Sequence, residues 1–122
     1  MNIEELRDHC LAVREAEECF PFGPDVATYK IMGKAFAFLE LTPRNGTFKV
    51  DLKCDPERSI DLRERYHGVG RGHAGEQCLL WNGVTLDSDV PDDVIVELIE
   101  HSADQVISAL PRYKRQEYLG EK

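Results

Sequence analysis

The feature that most constrains the fold is a short run in which apolar and charged residues alternate. In chain order it reads Phe48, Lys49, Val50, Asp51, Leu52 and Lys53. Because successive side chains of a β-strand point to opposite faces, one face of this strand must be covered by the rest of the chain and the other must meet water. The run follows Asn45-Gly46, a pair that tolerates the positive φ angles of a type I′ hairpin turn. The chain should therefore build an antiparallel sheet with one covered face.

Two more strands precede this run and one follows it. Residues 27–32 and 35–41 are rich in β-forming residues, and Gly33-Lys34 can turn the chain between them. Residues 79–86 resume the β pattern, with a short partner strand expected around 72–78. Consecutive strands with short connections indicate an antiparallel meander, not a repeat of parallel strands and crossover helices.

Helical patterns lie before, between and after the strands. Residues 3–14 place apolar side chains at helical spacing, and Asp55-Pro56-Glu57 is typical of a helix start. An apolar stripe between Pro91 and Pro111 predicts the longest helix, and a short tail helix is expected over 113–119. The predicted fold class is α+β, in the order α-β(3)-α-β(2)-α, with helices packed on an antiparallel sheet.

A chain of 122 residues has room for one domain, so we assign residues 1–122 to a single domain with 112–122 as a C-terminal tail. We expect no membrane segment, since no apolar run approaches the roughly 18–20 residues of a spanning helix. The first residues lack the order of a signal peptide, which predicts a cytoplasmic protein.

The four cysteines form no CxxC pair, so free thiols are expected, with no metal site and no cofactor.

The formal net charge is −8, from 15 basic and 23 acidic residues. This net negative charge disfavours broad, non-specific binding to nucleic acid or to anionic membranes. The charge is uneven, since residues 26–53 hold five basic and two acidic residues while residues 76–110 hold no basic residue. A one-sided basic surface therefore stays open as a hypothesis.

Basic side chains on the strands and the middle helix are the candidates for phosphate contacts. They are Lys30, Lys34, Lys49, Lys53, Arg58, Arg63, Arg65 and Arg71. The alternative is that strand lysines keep one sheet face solvated and protect the exposed sheet edges from pairing. Both interpretations remain open from the sequence.

A glycine-rich loop precedes the only tryptophan. Residues 70–75 match G-x-G-x-x-G, but a helix precedes the match and a strand follows it, which is the reverse of a dinucleotide site. His73, Trp81 and Asn82 are candidate residues of a loop or pocket, and Trp81 could stack a base or serve as a core residue. No serine or cysteine motif accompanies the histidines, so we assign no catalytic residue and favour a protein that is not an enzyme. The alternative left open is an enzyme with a pocket on the loop near His73, Cys78 and Trp81.

Several stretches in a fixed order resemble the MmcQ/YjbR family of small bacterial proteins. The matching stretches are residues 17–24 (EECFPFGP), 33–37 (GKAFA), 52–57 (LKCDPE), 81–84 (WNGV), 86–87, 90–93 (VPDD), 101–102 and 110–111. The resemblance implies a fold similar to that of type III secretion chaperones. Proteins of this family often carry the words "DNA-binding" in their names, by analogy of fold.

One departure from the family pattern concerns the loop before Trp81. Family members usually carry Tyr-His-Met-Asn-Lys-Lys-His there, whereas residues 72–80 of this chain keep only His73 as a counterpart and have no lysine. The leading hypothesis is a non-enzymatic binding module that binds DNA through its basic residues. The alternative is a protein-interaction or chaperone-like module, either monomeric or homodimeric, with an unidentified partner.

Overall fold

The computed structural model describes residues 1–120, and within this range it contains four helices and six strands. The helices are α1 (Ile3–Leu11), α2 (Pro56–Arg65), α3 (Asp92–Ser108) and α4 (Arg112–Leu119). The strands are β1 (Glu17–Cys19), β2 (Val26–Ile31), β3 (Lys34–Glu40), β4 (Lys49–Lys53), β5 (Val69–Arg71) and β6 (Trp81–Thr85).

All six strands form one antiparallel sheet in the order β1-β2-β3-β4-β6-β5. The predicted α+β class is confirmed. The sequence pattern missed β1, because three residues are too few to show alternation and two of them are glutamates. The partner of β6 lies at Val69–Arg71, before the predicted range of 72–78, because the glycine loop begins only after Arg71.

The hairpin turns follow the positive-φ rule. Asn45 and Gly46 have φ of 53° and 78°, as the predicted type I′ turn requires. The turn between β2 and β3 uses Met32 and Gly33, with φ of 51° and 84°, and therefore lies one residue earlier than predicted. Met32 adopts a left-handed conformation that the sequence pattern does not favour for a long apolar side chain.

Helix boundaries follow local capping signals. The side chain of Asn2 accepts a hydrogen bond from the backbone N–H of Glu5, and the carboxylate of Glu5 accepts one from the backbone N–H of Asn2, which completes a capping box. Asp55 caps α2 through the N–H of Arg58. Helix α1 ends at Leu11, three residues before the predicted end, while the predicted tail helix is present as α4. Residues 121–122 of the predicted tail lie outside the described residues.

One face of the sheet, here called the covered face, packs against the helices. Helix α3 contacts β2, β3 and β4, and α2 contacts β5. The strands contribute buried side chains on this side, with 2% or less of their surface exposed: Ala27, Tyr29, Ile31, Phe36, Ala37, Leu39, Val50, Leu52 and Val84. The Ser102 hydroxyl of α3 donates to the carbonyl of Phe36 and accepts from the N–H of Lys53, which anchors α3 to β3 and β4.

The opposite face, here called the open face, carries the alternate residues of the same strands. They include Val26, Thr28 and Lys30 of β2, Phe38 and Glu40 of β3, Lys49, Asp51 and Lys53 of β4, and Trp81, Gly83 and Thr85 of β6. Helix α3, which supplies most of the helical core, packs on the other side.

Candidate ligand-binding face

Three rings meet on the open face. The ring centroids of Phe38 and His73 are 4.8 Å apart, those of His73 and Trp81 4.9 Å, and those of Phe38 and Trp81 5.3 Å. Phe22, from the segment between β1 and β2, lies 6.0 Å from Phe38 and is 68% exposed. We call these four residues the aromatic patch. Rings at such separations attract one another through their quadrupoles.

The strand register explains why these side chains share one face. Phe38 of β3 is paired directly with Asp51 of β4, and Trp81 of β6 is paired with Lys53 of β4. Cross-strand partners point to the same side of a sheet. The order β3-β4-β6 therefore brings Phe38, Asp51 and Trp81 together although they are distant in sequence.

Asp51 fixes His73 over the sheet. Its Oδ2 accepts a hydrogen bond from the backbone N–H of His73 at 2.6 Å and lies 2.8 Å from the ring Nδ1. Asp51 is only 8% exposed, whereas the His73 side chain is about half exposed. Lys49 Nζ lies 3.9 Å from the other carboxylate oxygen. The two bonds position the backbone and the imidazole of His73 together, with Nε2 as the ring nitrogen that does not face Asp51.

A tight turn carries His73 to this position. Gly72 and Gly75 form an antiparallel bridge, and Gly75 has φ of 98°, which disfavours a residue with a side chain. A Cβ on Gly72 would lie 3.1 Å from the carbonyl oxygen of Trp81. Glycine at both positions therefore lets the loop close against the start of β6.

Arg63 of α2 holds the rest of this loop. Its Nη1 donates to the carbonyl of Glu76 at 2.7 Å, and its Nη2 donates to those of Cys78 and Trp81 at 2.9 and 3.1 Å. Its Nε donates to Asn82 Oδ1 at 2.8 Å. The planar guanidinium suits this task because its donors form a rigid fork.

Arg63 and Asn82 thus lie elsewhere than the sequence analysis placed them. Asn82 is 2% exposed and sits on the covered face, where its amide donates to Ser59 Oγ. The donors of Arg63 are engaged inside the protein. Both residues belong to a network that shapes the loop, and of the three predicted pocket residues only His73 and Trp81 reach the open face.

The other basic candidates do not form one continuous strip. Lys30, Lys49 and Lys53 lie on the open face. Two of them have an acidic neighbour, since Lys30 is paired across the sheet with Glu17 and Lys49 contacts Asp51. Lys34 begins β3 at the hairpin end, and Arg71 is exposed on β5.

On the covered side, Arg58 and Arg65 line a groove of about 590 Å³ between α2 and α3. Asp61, Glu64 and Glu97 line the same groove, and Arg58 lies 3.9 Å from Glu97. Acidic residues thus offset the positive charge of this groove.

A pocket of about 290 Å³ opens beside the aromatic patch. Its lining consists of Phe22, Val26, Phe38, Glu40, Asp51 and His73. Apolar walls with a few polar groups at one side are typical of small-ligand sites. The volume lies near the lower end for such sites, so the pocket suits a single planar ring system.

Sequence reasoning missed Phe22, Phe38 and Asp51 as site residues. Asp51 did leave a signal, because it is the single acidic residue between two lysines on the wet side of an alternating strand.

Within residues 1–120 no cluster of three or more His, Cys, Asp or Glu side chains is placed to hold a metal ion. In the same range no helix is long and apolar enough to cross a membrane.

Comparisons with known structures show the same fold in other bacterial proteins. The crystal structure of a Deinococcus radiodurans protein with a DUF419 domain superimposes with a TM-score of 0.83 at 27% identity, covering 99% of this chain and 89% of the other. A crystal structure from Pseudomonas syringae superimposes with a TM-score of 0.69 at 26% identity, covering 84% of this chain and 96% of the other.

Sequence comparisons give the family. The chain is 30% identical over 115 residues to the uncharacterized protein YjbR of Escherichia coli K12, which covers 94% of this chain and 95% of that protein. It is also 30% identical over 97 residues to the uncharacterized protein YbdF of Escherichia coli O157:H7, covering 79% and 76%. A family model described as YjbR matches residues 11–104. The resemblance inferred from the sequence is confirmed, and the chain belongs to the YjbR family.

Proposed function

We propose that this protein is a non-enzymatic binding module that takes unpaired bases of single-stranded nucleic acid on its aromatic patch. The observation that carries the proposal is the cluster of Phe38, His73 and Trp81, with ring centroids within 5.3 Å of one another on a sheet face that α3 does not cover. The adjoining pocket of about 290 Å³ has room for one planar ring.

Stacking is the interaction that this face offers. A base stacked on an aromatic side chain contributes about 1–3 kcal/mol, and the contribution tolerates any sequence because every base has a π-face. Phe22 is 68% exposed at the edge of the pocket and can cover a second face of a bound ring. The hydrogen bonds between Asp51 and His73 fix the imidazole beforehand, so less conformational freedom is lost on binding.

The charge distribution favours single strands over duplex DNA. Lysines alternate with carboxylates on the open face, and the whole chain carries a net charge of −8, so a long row of phosphates gains little here. A duplex keeps the faces of its bases inside the stack, where the aromatic patch cannot reach them. Binding should therefore prefer unpaired strands and depend only weakly on salt.

The pocket chemistry supports binding without catalysis. Its lining residues include no serine, threonine or cysteine that the imidazole of His73 could activate as a nucleophile. The carboxylate of Asp51 bonds both the ring and the backbone of His73, an arrangement that positions the ring. These features support a role for His73 as a stacking and anchoring group.

The test uses Trp81 as an internal reporter, since it is the only tryptophan. Titration with an eight-residue oligothymidylate should quench and shift Trp81 emission to a saturating value, and a duplex of equal length should produce little change. Equal affinity for both, or no change with the single strand, would contradict the proposal.

A pair of variants ties the signal to the patch. Phe38→Ala should weaken oligothymidylate binding about 5- to 150-fold, which corresponds to the loss of about 1–3 kcal/mol of stacking. Tyr113→Ala removes an exposed aromatic ring of α4 that is 67% exposed, and it should leave the affinity unchanged. Equal losses in both variants would mean that the patch is not the binding site.

Protein docking is the second candidate, because Phe20 and Phe22 are 43% and 68% exposed on the same segment. Neighbouring exposed apolar side chains are typical of interaction surfaces. Stoichiometric, nuclease-resistant capture of one protein that the Phe22→Ala variant fails to capture, together with no Trp81 response to single strands, would favour this candidate.

A further inference from the structure

Trp81 also borders a second depression, at the end of the sheet where β3 begins and β4 ends. Its volume is about 330 Å³, and we call it the lysine depression. Its lining consists of Lys34, Ala35, Lys53, Trp81, Val106 and Ala109. Since β3 and β4 run antiparallel, the first residue of β3 and the last residue of β4 lie at the same end of the sheet. Trp81, paired with Lys53, begins β6 at this end.

The lysine depression differs from the other basic region in its charge. No carboxylate lines it, whereas the groove between α2 and α3 combines Arg58 and Arg65 with three acidic side chains. Among residues 1–120 the ammonium groups of Lys34 and Lys53 take part in no ion pair, unlike that of Lys49, which contacts Asp51. Two uncompensated positive charges in one concave site attract an anion.

The neighbouring end of α3 offsets only part of this charge. Ala109 is the C-cap of α3, and a helix C-terminus carries the equivalent of roughly half a negative charge. Lysines near such an end do stabilise the helix, but a partial charge cannot neutralise two full positive charges. Anion-binding capacity therefore remains after this structural role is counted.

We propose that Lys34 and Lys53 bind a phosphate group of the same ligand whose base stacks on the aromatic patch. Trp81 then separates a base subsite on the open face from a phosphate subsite at the sheet end. This inference rests on the proposed function. The shared ligand chemistry is a phosphate ester next to a planar base, whether in a strand or in a free nucleotide.

The experiment compares ligands with and without the phosphate. Thymidine, thymidine 5′-monophosphate and the eight-residue oligothymidylate are titrated against Trp81 emission in the full chain. The wild type should bind the monophosphate several-fold more tightly than thymidine. If substitution of the two lysines weakens binding of the oligothymidylate but not of the monophosphate, the bound phosphate belongs to a nucleic-acid backbone. If it weakens binding of both ligands, the subsite also accepts free nucleotides.

The variant is the double substitution Lys34→Gln/Lys53→Gln, and Lys30→Gln is the control with the same change at another lysine of the sheet. In the double variant the monophosphate should bind no better than thymidine. The slope of log affinity for oligothymidylate against log salt should fall in magnitude by about 0.7–1.4, because each lost phosphate contact on a single strand contributes about 0.7. Lys30→Gln should retain the wild-type slope, since Lys30 is not among the residues that line the lysine depression and is paired on its other side with Glu17.

Two failures can be told apart. The first outcome is that oligothymidylate quenches Trp81 equally in wild type and double variant, and that the slope of log affinity against log salt is the same in both. The phosphate subsite is then wrong while the proposed function stands. If no base-containing ligand affects Trp81, the proposed function is wrong. The lysine depression is then tested with pyrophosphate, by NMR of the lysine Cε signals. Saturable shifts confined to Lys34 and Lys53 support an anion site, and their absence overturns it.

Discussion

The two faces of this sheet are built from adjacent residues of the same strands, yet they meet different surroundings. Leu39 is fully buried under α3, while its neighbour Phe38 lies half-buried among the rings of the aromatic patch. Leu52 is 2% exposed in the core, and the adjacent Asp51 holds His73 on the other side. The covered face supplies the apolar burial that stabilises the fold. The open face keeps aromatic groups at the surface, and hydrogen bonds to Asp51 hold one of them, His73.

The two faces are not independent, because one side chain from the covered side shapes the open face. Arg63 reaches from α2 to the carbonyls of the loop that presents His73 and Trp81. Substitutions on the covered face should therefore affect stability more than substitutions on the open face, and a substitution of Arg63 should affect both faces.

The largest contrast should come from neighbouring residues of β3. Leu39→Ala should lower the free energy of unfolding by about 2–5 kcal/mol, because it leaves a cavity in a closely packed core. Phe38→Ala should cost clearly less, because its ring is already partly in water. Urea unfolding monitored by far-UV circular dichroism measures both. Equal losses of stability would contradict this difference, because they would show that Phe38 contributes as much to the core as Leu39 does.

Removing the link should affect both faces together. Arg63→Gln should lower the free energy of unfolding by about 2 kcal/mol, since it removes charge-assisted hydrogen bonds to carbonyls and to the buried amide of Asn82. Trp81 emission should shift to longer wavelength as the loop loosens. Arg65→Gln, a change to an exposed arginine on the same helix, is the control and should leave both quantities near wild type. An unshifted emission spectrum in Arg63→Gln would show that the loop before Trp81 keeps its conformation without the hydrogen bonds from α2.

The anchor on the open face should have a smaller effect on stability. Asp51→Asn keeps an acceptor but loses the charge, so we expect a cost of about 1 kcal/mol and a less ordered His73 ring. Histidine ring NMR signals should show a changed balance of the two tautomers, because the partner of Nδ1 has changed. An unchanged tautomer balance would mean that Asp51 does not orient the imidazole.

The smallest effect concerns pH and the covered side. Burial, with a contribution from the nearby charge of Arg58, lowers the pKa of His101, whose Nε2 accepts the backbone N–H of Asp55. The folded pKa lies below the unfolded value of about 6.5, so the stabilisation by neutral His101 is complete above about pH 6.5 and is lost as the pH falls through the folded pKa. Urea titrations from pH 7.5 to 5 should therefore show a smaller loss of stability in His101→Gln than in the wild type. If the stability of the two proteins falls equally between pH 7.5 and 5, His101 does not contribute to this pH dependence.

Much of the fold followed from local patterns. The alternation through residues 48–53 predicted a covered and an open face, and the helix starts at Asn2 and Asp55 followed from capping chemistry. Local patterns failed at β1, which is too short to alternate, and at the turn where Met32 adopts a positive φ. His73 and Trp81 were recognised as candidate site residues, but Phe38 looked like any other strand residue and Asp51 like a solubilising charge.

The sequence by itself determined which residues share a face where a strand is regular, as in β4, because the side-chain period of two is a property of the extended backbone. A register shift between Tyr29 and Lys30 breaks this period in the β2–β3 pair, and the adjacent residues Phe36 and Ala37 are both buried. Only the tertiary structure decided that Phe22, Phe38, His73 and Trp81 meet, since their contacts depend on β6 pairing with β4 and on the glycine turn folding over Asp51. The same long-range pairing assigned Arg63 and Asn82 to the support of the loop and left Lys34 and Lys53 together beside Trp81. Strand order and loop closure are set by burial summed over the whole domain, which no local pattern encodes.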